Sequence, residues 1–372
     1  MNSFKPQLKR KFYDSLYNNF GIENHDEGRY GIYKKEKANH FDGFKRFIKK
    51  KIGFKNDYTE KYFEERYNYI IQFEDSISQI WEAFSTQDKN IFLELITFKF
   101  LGNKRVKLST NNKEYYKSIK EAESLKDDKD FIVSNFNDIK LYKHDLSAIG
   151  KNVKLYFSSG GIAIDFIREQ YAYKVNDVPV VQVEKGDTVF DFGGCWGDTA
   201  LYFGDKTGND GKVYCFEFIP GNIEYLKKNL ELNPHLDDVI DLVEHPVFDK
   251  SDIKCYYKDN GPGSIVKMQP FDGNTGETTT LSLDDFVERN NITKVDFIKM
   301  DIEGAEPFAL EGAIKTIKKF KPKLAIANYH GMSDFVNIPK WILDLNLGYE
   351  IFLGHYTIHW EESVCFAKIK EI

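Results

Sequence analysis

Only four cysteines occur in 372 residues. Cys195, Cys215, Cys255 and Cys365 stand too far apart for a C-x-x-C pair, and no histidine lies at zinc-finger spacing. The opening Met1-Asn2-Ser3-Phe4-Lys5-Pro6 leads into Lys9-Arg10-Lys11 with no apolar core behind it, so no secretory signal is read. Reduced cysteines in a cytoplasmic protein are therefore expected, not a disulfide framework. Apolar runs of about 18 residues or more are also missing, which excludes a membrane-spanning helix from the expectation. No internal repeat and no low-complexity tract stands out.

What is present can bury a core. The chain is 41% apolar, with 31 Phe and 22 Tyr, and its length predicts two domains at roughly 100–200 residues each. Its net charge of −6 hides an asymmetry. Residues 1–150 carry 28 Lys+Arg and 23 Asp+Glu, whereas the remainder carries 24 and 35. The front is mildly basic and the back acidic, as two units with different jobs would be.

The first 130 or so residues read as helical. Phe12, Leu16 and Phe20 recur at four-residue spacing, with Tyr13 and Tyr17 beside them. An aromatic stripe runs from Tyr58 to Phe84 and predicts core packing, not a cofactor box. Ser85 to Asp88 can cap a helix over about Lys89–Leu101, with Gly102 as its stop. Glu121 to Asp130, rich in Lys, Glu and Asp, reads as a solvated connector or frayed helix end. The texture changes near residue 140. Strands are expected at 139–142, 153–157, 187–192, 212–218, 239–243, 295–300 and 324–328. Helices are expected at 162–171, 199–203, 223–232 and 307–320. Such alternation predicts an α/β fold, a doubly wound, mostly parallel Rossmann-like sheet behind a helical domain. The domains are set at 1–140 and 141–372.

The segment Gly186 to Thr199 carries the most information. A buried strand ends in Asp191, and a turn holding Gly193, Gly194 and Gly197 leads into a helix opened by Asp198 and Thr199. Glycine there lets the backbone turn sharply and lets a ligand approach outside the strand's carboxyl end. The spacing differs from G-x-G-x-x-G and resembles the first motif of S-adenosylmethionine-dependent methyltransferases more than an NAD site. About 20 residues on, a second strand ends in Glu217, placed to accept from both hydroxyls of an adenosine ribose. A third strand leads to Phe248, which can pack on an adenine, and Asp249, which can accept from its exocyclic amine. An ordinary loop aspartate is the alternative. Finally, Asp301, Glu303 and Glu306 crowd a strand end, where like charges call for a cation or a shared proton. Glu306 is assigned to helix capping, and Asp301 and Glu303 to the crevice.

From about Gln182 to Lys368 the chain resembles the FkbM-type methyltransferases. The resemblance is carried by Gly186–Asp191, Gly211–Glu217, Asn229 and Asn233, Leu281–Phe286, the run Lys299-Met300-Asp301-Ile302-Glu303-Gly304-Ala305-Glu306, and Glu362–Ala367. Pro220 and Asn222 also follow the family pattern, and Asn222 joins the expected cofactor set. Phe218 and Pro246 depart from it, and Ala327-Asn328-Tyr329-His330 lacks the acidic residue usual after the fifth strand. Residues 1–140 have no counterpart.

The resemblance implies transfer of a methyl group from S-adenosylmethionine to a hydroxyl of a sugar or glycan. His330 is the candidate base because it follows the fifth strand and titrates near neutrality. Asp301 and Glu303 are alternatives, as bases or, with Asn328, as ligands of a divalent metal ion. Tyr171, Tyr173 and His355 are expected to line the acceptor pocket. The helical front is expected to serve as a lid, docking surface or homo-oligomer contact. An acidic crevice suits a cationic donor and argues against a nucleic-acid acceptor. N-methylation of an amino sugar or peptide, and a nucleotide-binding oxidoreductase, are the competing readings.

Overall fold

The computed structural model of the chain describes residues 4–26, 29, 32–34 and 57–370. They form two compact units, Met1–Tyr115 with His355–Glu361, and Tyr116–Gly354 with Glu362–Ile372. The expected division at residue 140 falls inside the second unit.

The first unit holds α1 (Phe4–Leu16), α2 (Asp57–Ile71), α3 (Glu74–Ala83) and α4 (Thr86–Leu101). Phe4, Leu8 and Phe12 recur every four residues and are fully buried, so the seam of α1 lies one turn earlier than Phe12-Leu16-Phe20. Phe4 meets Trp81 at 5.2 Å and Phe12 meets Phe63 at 5.2 Å between ring centroids, both edge-on. Ser85 caps α4, its hydroxyl accepting from the Asp88 amide at 3.2 Å, and Gly102 closes the helix at φ 77°. Both ends match the expectation.

The second unit begins with α5 (Lys113–Ser124) and a small antiparallel sheet, β1 (Lys126–Val133), β2 (Lys140–Asp145) and β3 (Lys154–Phe157). The expected connector at Glu121–Asp130 is thus a helix end followed by an edge strand. A short hairpin, β4 (Tyr173–Val175) and β5 (Val178–Val181), precedes the main sheet. That sheet draws on β6 (Thr188–Phe192), β7 (Lys212–Phe216) and β8 (Ile240–Val243). After the three-stranded insertion β9 (Lys254–Lys258), β10 (Ile265–Lys267) and β11 (Gly276–Thr279), it continues through β12 (Phe297–Met300), β13 (Lys323–Ala327), β14 (Tyr349–His355) and β15 (Ser363–Ile369). The strand order is β14-β15-β13-β12-β6-β7-β8, parallel from β13 to β8, with β15 antiparallel to β13. Order reverses between β6 and β12, so the ligand crevice of such a sheet opens at their carboxyl ends.

Helices α6 (Asp198–Thr207), α7 (Pro220–Glu231), α8 (Leu283–Arg289), α9 (Glu306–Glu311), α10 (Ile314–Phe320) and α11 (Met332–Asp344) accompany the strands. The helix expected at 307–320 is two helices, because Asp284 caps the second one separately. Its carboxylate accepts from the amides of Lys315 and Thr316 at 3.0 and 2.8 Å. Asn229 and Asn233 of α7 bind the backbone of β3 as a neighbouring strand would; the Tyr156 amide donates to Asn229 at 2.7 Å. The helix expected at 162–171 is a single π-helical stretch, Ile162–Ile167. No described helix is long and apolar enough to cross a membrane.

Candidate active site

The parallel pairing of β6 with β12 sets Asp191 directly opposite Lys299. Their side chains meet at 3.0 Å with almost no exposure, and the second Asp191 oxygen accepts from Thr199 at 2.7 Å. Lys299 also donates to the carbonyl of Gly193 at 2.8 Å. Burial opposes its charge, but Asp191 and Asp301 outweigh that and hold its pKa above the usual lysine value. Asp191 and Thr199 therefore brace the turn. The turn glycines are also set by the protein itself. At Gly193, with φ 87°, an added Cβ would lie 1.9 Å from the carbonyl oxygen of Asp301; at Gly194 it would lie 2.1 Å from the Cys215 sulfur. Close approach of β12 and β7, not only of a ligand, demands glycine here.

Around this turn several buried polar atoms have no hydrogen-bond partner: Trp196 Nε1, Asp198 Oδ1 and Asn222 Oδ1. Orphans of this kind are rare in an interior and suit a polar ligand. Asp198 faces Asp165 of the π-helical stretch closely enough to share a proton. Burial and then the Asp198 charge push Asp165 well up, and burial raises Asp198 to about 6. Glu217, at the tip of β7, accepts from the amides of Phe218 and Ile219 at 2.7 and 2.8 Å and from Asn222 at 3.0 Å. Burial lifts it to about 7 against those bonds. Phe248 stacks on Phe308 at 4.6 Å, with Asp249 following it on the same loop.

A second cluster centres on Asp301. Its carboxylate accepts from the hydroxyls of Tyr171 at 3.0 Å and Tyr329 at 3.1 Å. His330 is ringed by acids: Nδ1 lies 3.3 Å from Glu306, and Nε2 lies 3.6 Å from Asp301 and 3.7 Å from Glu303. Burial works against its charge, yet those carboxylates, Glu306 foremost, raise His330 to about 9. Near neutrality it is an imidazolium, so as a base it would first have to lose its proton. Glu303, in a left-handed conformation at φ 57°, is lifted to about 7 by burial and by Asp301. Glu306, fully buried at the first position of α9, accepts from the Ile302 amide at 2.8 Å, which closes the turn before the helix, and additionally lies against His330. The described acid and imidazole groups close enough for one cation are Asp301, Glu306 and His330, within 4.8 Å of one another; Asp301 is shared with the expected Asp301-Glu303-Asn328 set. Asn328 is buried and its side-chain oxygen has no partner.

Two further residues expected at the pocket are Tyr173 and His355. Tyr173 stacks on Phe352 at 4.9 Å, as core packing. His355 opens the segment that belongs to the helical unit. Sequence reading missed Lys299, Asp165, Gln170, Tyr329 and Glu362. The available signal for Lys299 was a charge set among Phe297, Ile298 and Met300; Glu362 gave only its place before the last strand.

The sequence profile of the methyltransferase FkbM domain matches residues 176–351. No curated protein matches the chain. Among solved structures, methyltransferase FkbM from Methylobacillus flagellatus KT is similar at 18% identity and TM-score 0.49, over 80% of this chain and 59% of that one. The chain thus spans about three fifths of that protein's length. Fibrillarin from Aeropyrum pernix, solved with natively bound S-adenosyl-L-methionine, is similar at 14% identity and TM-score 0.35, over 64% of this chain and 92% of that one.

Proposed function

Residues 176–351 are an FkbM methyltransferase domain, and from that premise we propose that the chain is an S-adenosylmethionine-dependent O-methyltransferase acting on a hydroxyl of a sugar or glycan. The observation that carries the cofactor half is Glu217 at the tip of β7, beside orphaned polar atoms at the glycine turn. Asn222 and the two loop amides fix its carboxylate, which suits a vicinal diol. Asp198 and Trp196 offer acceptor and donor to the amino acid end. Bound there, the cofactor supplies an electrophilic methyl group on a sulfonium.

The chain's own residues supply placement and charge. Asp301 fixes the hydroxyls of Tyr171 and Tyr329, and in this reading these side chains shape the acceptor end of the crevice. Holding an acceptor hydroxyl in line is worth about 7–11 kcal/mol of barrier. The acid-rich lining favours a neutral acceptor over a phosphorylated or uronic one, which is why a plain sugar hydroxyl is preferred. Calorimetry with S-adenosylhomocysteine and with NAD tests the cofactor; binding of NAD alone would overturn the reading. Tritium transfer from labelled donor to neutral glycans, followed by hydrolysis, separates methyl ethers from methylamines and so tests oxygen against nitrogen.

A further inference from the structure

Resting on the methyltransferase reading, we infer that Glu362 is the carboxylate that takes the acceptor's proton, held in place by Gln170. The segment after β13 reads Asn328-Tyr329-His330 and carries no acid. The topology brings one from the neighbouring strand. Because β15 runs antiparallel to β13, its first residues lie at the carboxyl edge of the parallel strands, and the Asn328 amide donates to the carbonyl of Ser363 at 3.1 Å. Glu362, immediately before Ser363, therefore stands at the crevice edge.

Three features single it out. Its backbone is left-handed at φ 67°, a conformation that costs a side-chain-bearing residue energy and that clusters at functional sites. Gln170, 2% exposed, donates to it at 2.6 Å from the segment opposite. Asp301 is engaged by two tyrosine hydroxyls, and Glu306 is fully buried, one oxygen on the Ile302 amide and against His330 and the other without a hydrogen-bond partner. Glu303, with its side chain 52% exposed, pairs with the far side of His330.

As proton acceptor, Glu362 takes the hydroxyl hydrogen while the oxygen bonds to the methyl carbon and the carbon–sulfur pair stays on sulfur. A carboxylate, a hydroxyl and a sulfonium become a carboxylic acid, an ether and a thioether. Its surroundings suit that exchange. Asp301, Glu303, His330, Tyr171, Tyr329 and Asp165 face it or act on its charge. Burial first, then Asp301, lifts its carboxyl to about 8, so near neutrality it too keeps its proton until a neighbouring cation, here the sulfonium, lowers that value again.

The test needs no acceptor. Sinefungin carries an ammonium on the carbon that replaces the methyl sulfonium, so the ratio of its affinity to that of S-adenosylhomocysteine reports the charge facing the methyl position. In the wild-type chain sinefungin is expected to bind about tenfold tighter, with the ratio growing as pH rises from 6 to 9. Glu362→Gln should bring the ratio near one and abolish its pH dependence while S-adenosylhomocysteine binds as before, which also reports an intact fold. Glu362→Asp should restore part of the ratio, and Gln170→Leu should lower it. A Glu362→Gln ratio within twofold of wild type, with the pH dependence intact, overturns the assignment. A wild-type chain that binds neither compound overturns the methyltransferase reading itself, and this assignment with it.

Discussion

Replacing Lys299 by Met tests the electrostatic core of the α/β unit. The ammonium is 1% exposed, 3.0 Å from Asp191, and also donates to the carbonyls of Gly193 and Phe192. Methionine fills the space of the stem but leaves a fully buried carboxylate without its counter-ion. Removing one partner of such a pair costs about 3–5 kcal/mol, a large share of the 5–15 kcal/mol that holds a typical domain folded. At about 2–4 °C per kcal/mol, the melting temperature of this unit should fall by about 10 °C. Asp191→Asn in the same chain should recover roughly 2 kcal/mol, because Thr199 still has an acceptor and the stranded charge is gone. Urea unfolding by circular dichroism at pH 7, fitted with separate transitions for the two units, measures both variants. A loss below about 1 kcal/mol would refute the pairing as the organiser of the turn.

Three further outcomes are expected. Glu217→Ala should weaken S-adenosylhomocysteine about 10- to 100-fold by calorimetry, and an unchanged affinity would remove the ribose role. Glu169 gathers Lys206 at 2.8 Å, Lys151 at 3.3 Å and Lys174; burial opposes its charge, but the lysines hold it at about 2. A depressed carboxylate stabilises above its unfolded pKa near 4.5, and that stability is lost as pH falls toward 2. Glu169→Gln should thus cost about 2–3 kcal/mol at pH 7 and almost nothing below about pH 2 in thermal melts. Ser85→Ala should cost the helical unit about 1 kcal/mol, and an unshifted transition would show the cap to be idle.

The parallel strands were legible because each is a short apolar run, and β6, β7, β12 and β13 lie within a residue or two of their expected positions. Glu217 and the glycine turn were legible because a strand tip and its turn are local. What was not legible is non-local or polar. Strand β1 is Lys-Asp-Asp-Lys-Asp followed by Phe131, and exposed edges tolerate such charge, so it reads as a linker. The π-helical stretch has the apolar spacing of an ordinary helix but ends after Ile167. Reasons shifted as well as places. The glycines at 193 and 194 read as clearance for a ligand, whereas clearance for Asp301 and Cys215 already demands them. His330 reads as a neutral base until the three carboxylates around it are brought together by β12 and β13. Glu362 has no local mark at all, since only the antiparallel entry of β15 carries it to the ligand edge.

The acidic excess of the back half resolves into distinct arrangements. Lys299 answers Asp191 and Asp301; Asp165 and Asp198 form a buried acid pair, each raised by burial; the His330 ring sits among Asp301, Glu303 and Glu306. Glu362 remains, balanced by no cation of its own. That bears on where the acceptor's proton must go. A cationic donor beside Glu362 makes a neutral pair, and transfer turns the donor into a neutral thioether. If the proton left for solvent, the crevice would end one charge more negative, with Glu362 facing Asp301 across a site of low dielectric. If Glu362 keeps the proton, the charge of the crevice is the same before and after the reaction. A proton acceptor inside the site is therefore favoured by the same electrostatics that draw the donor in.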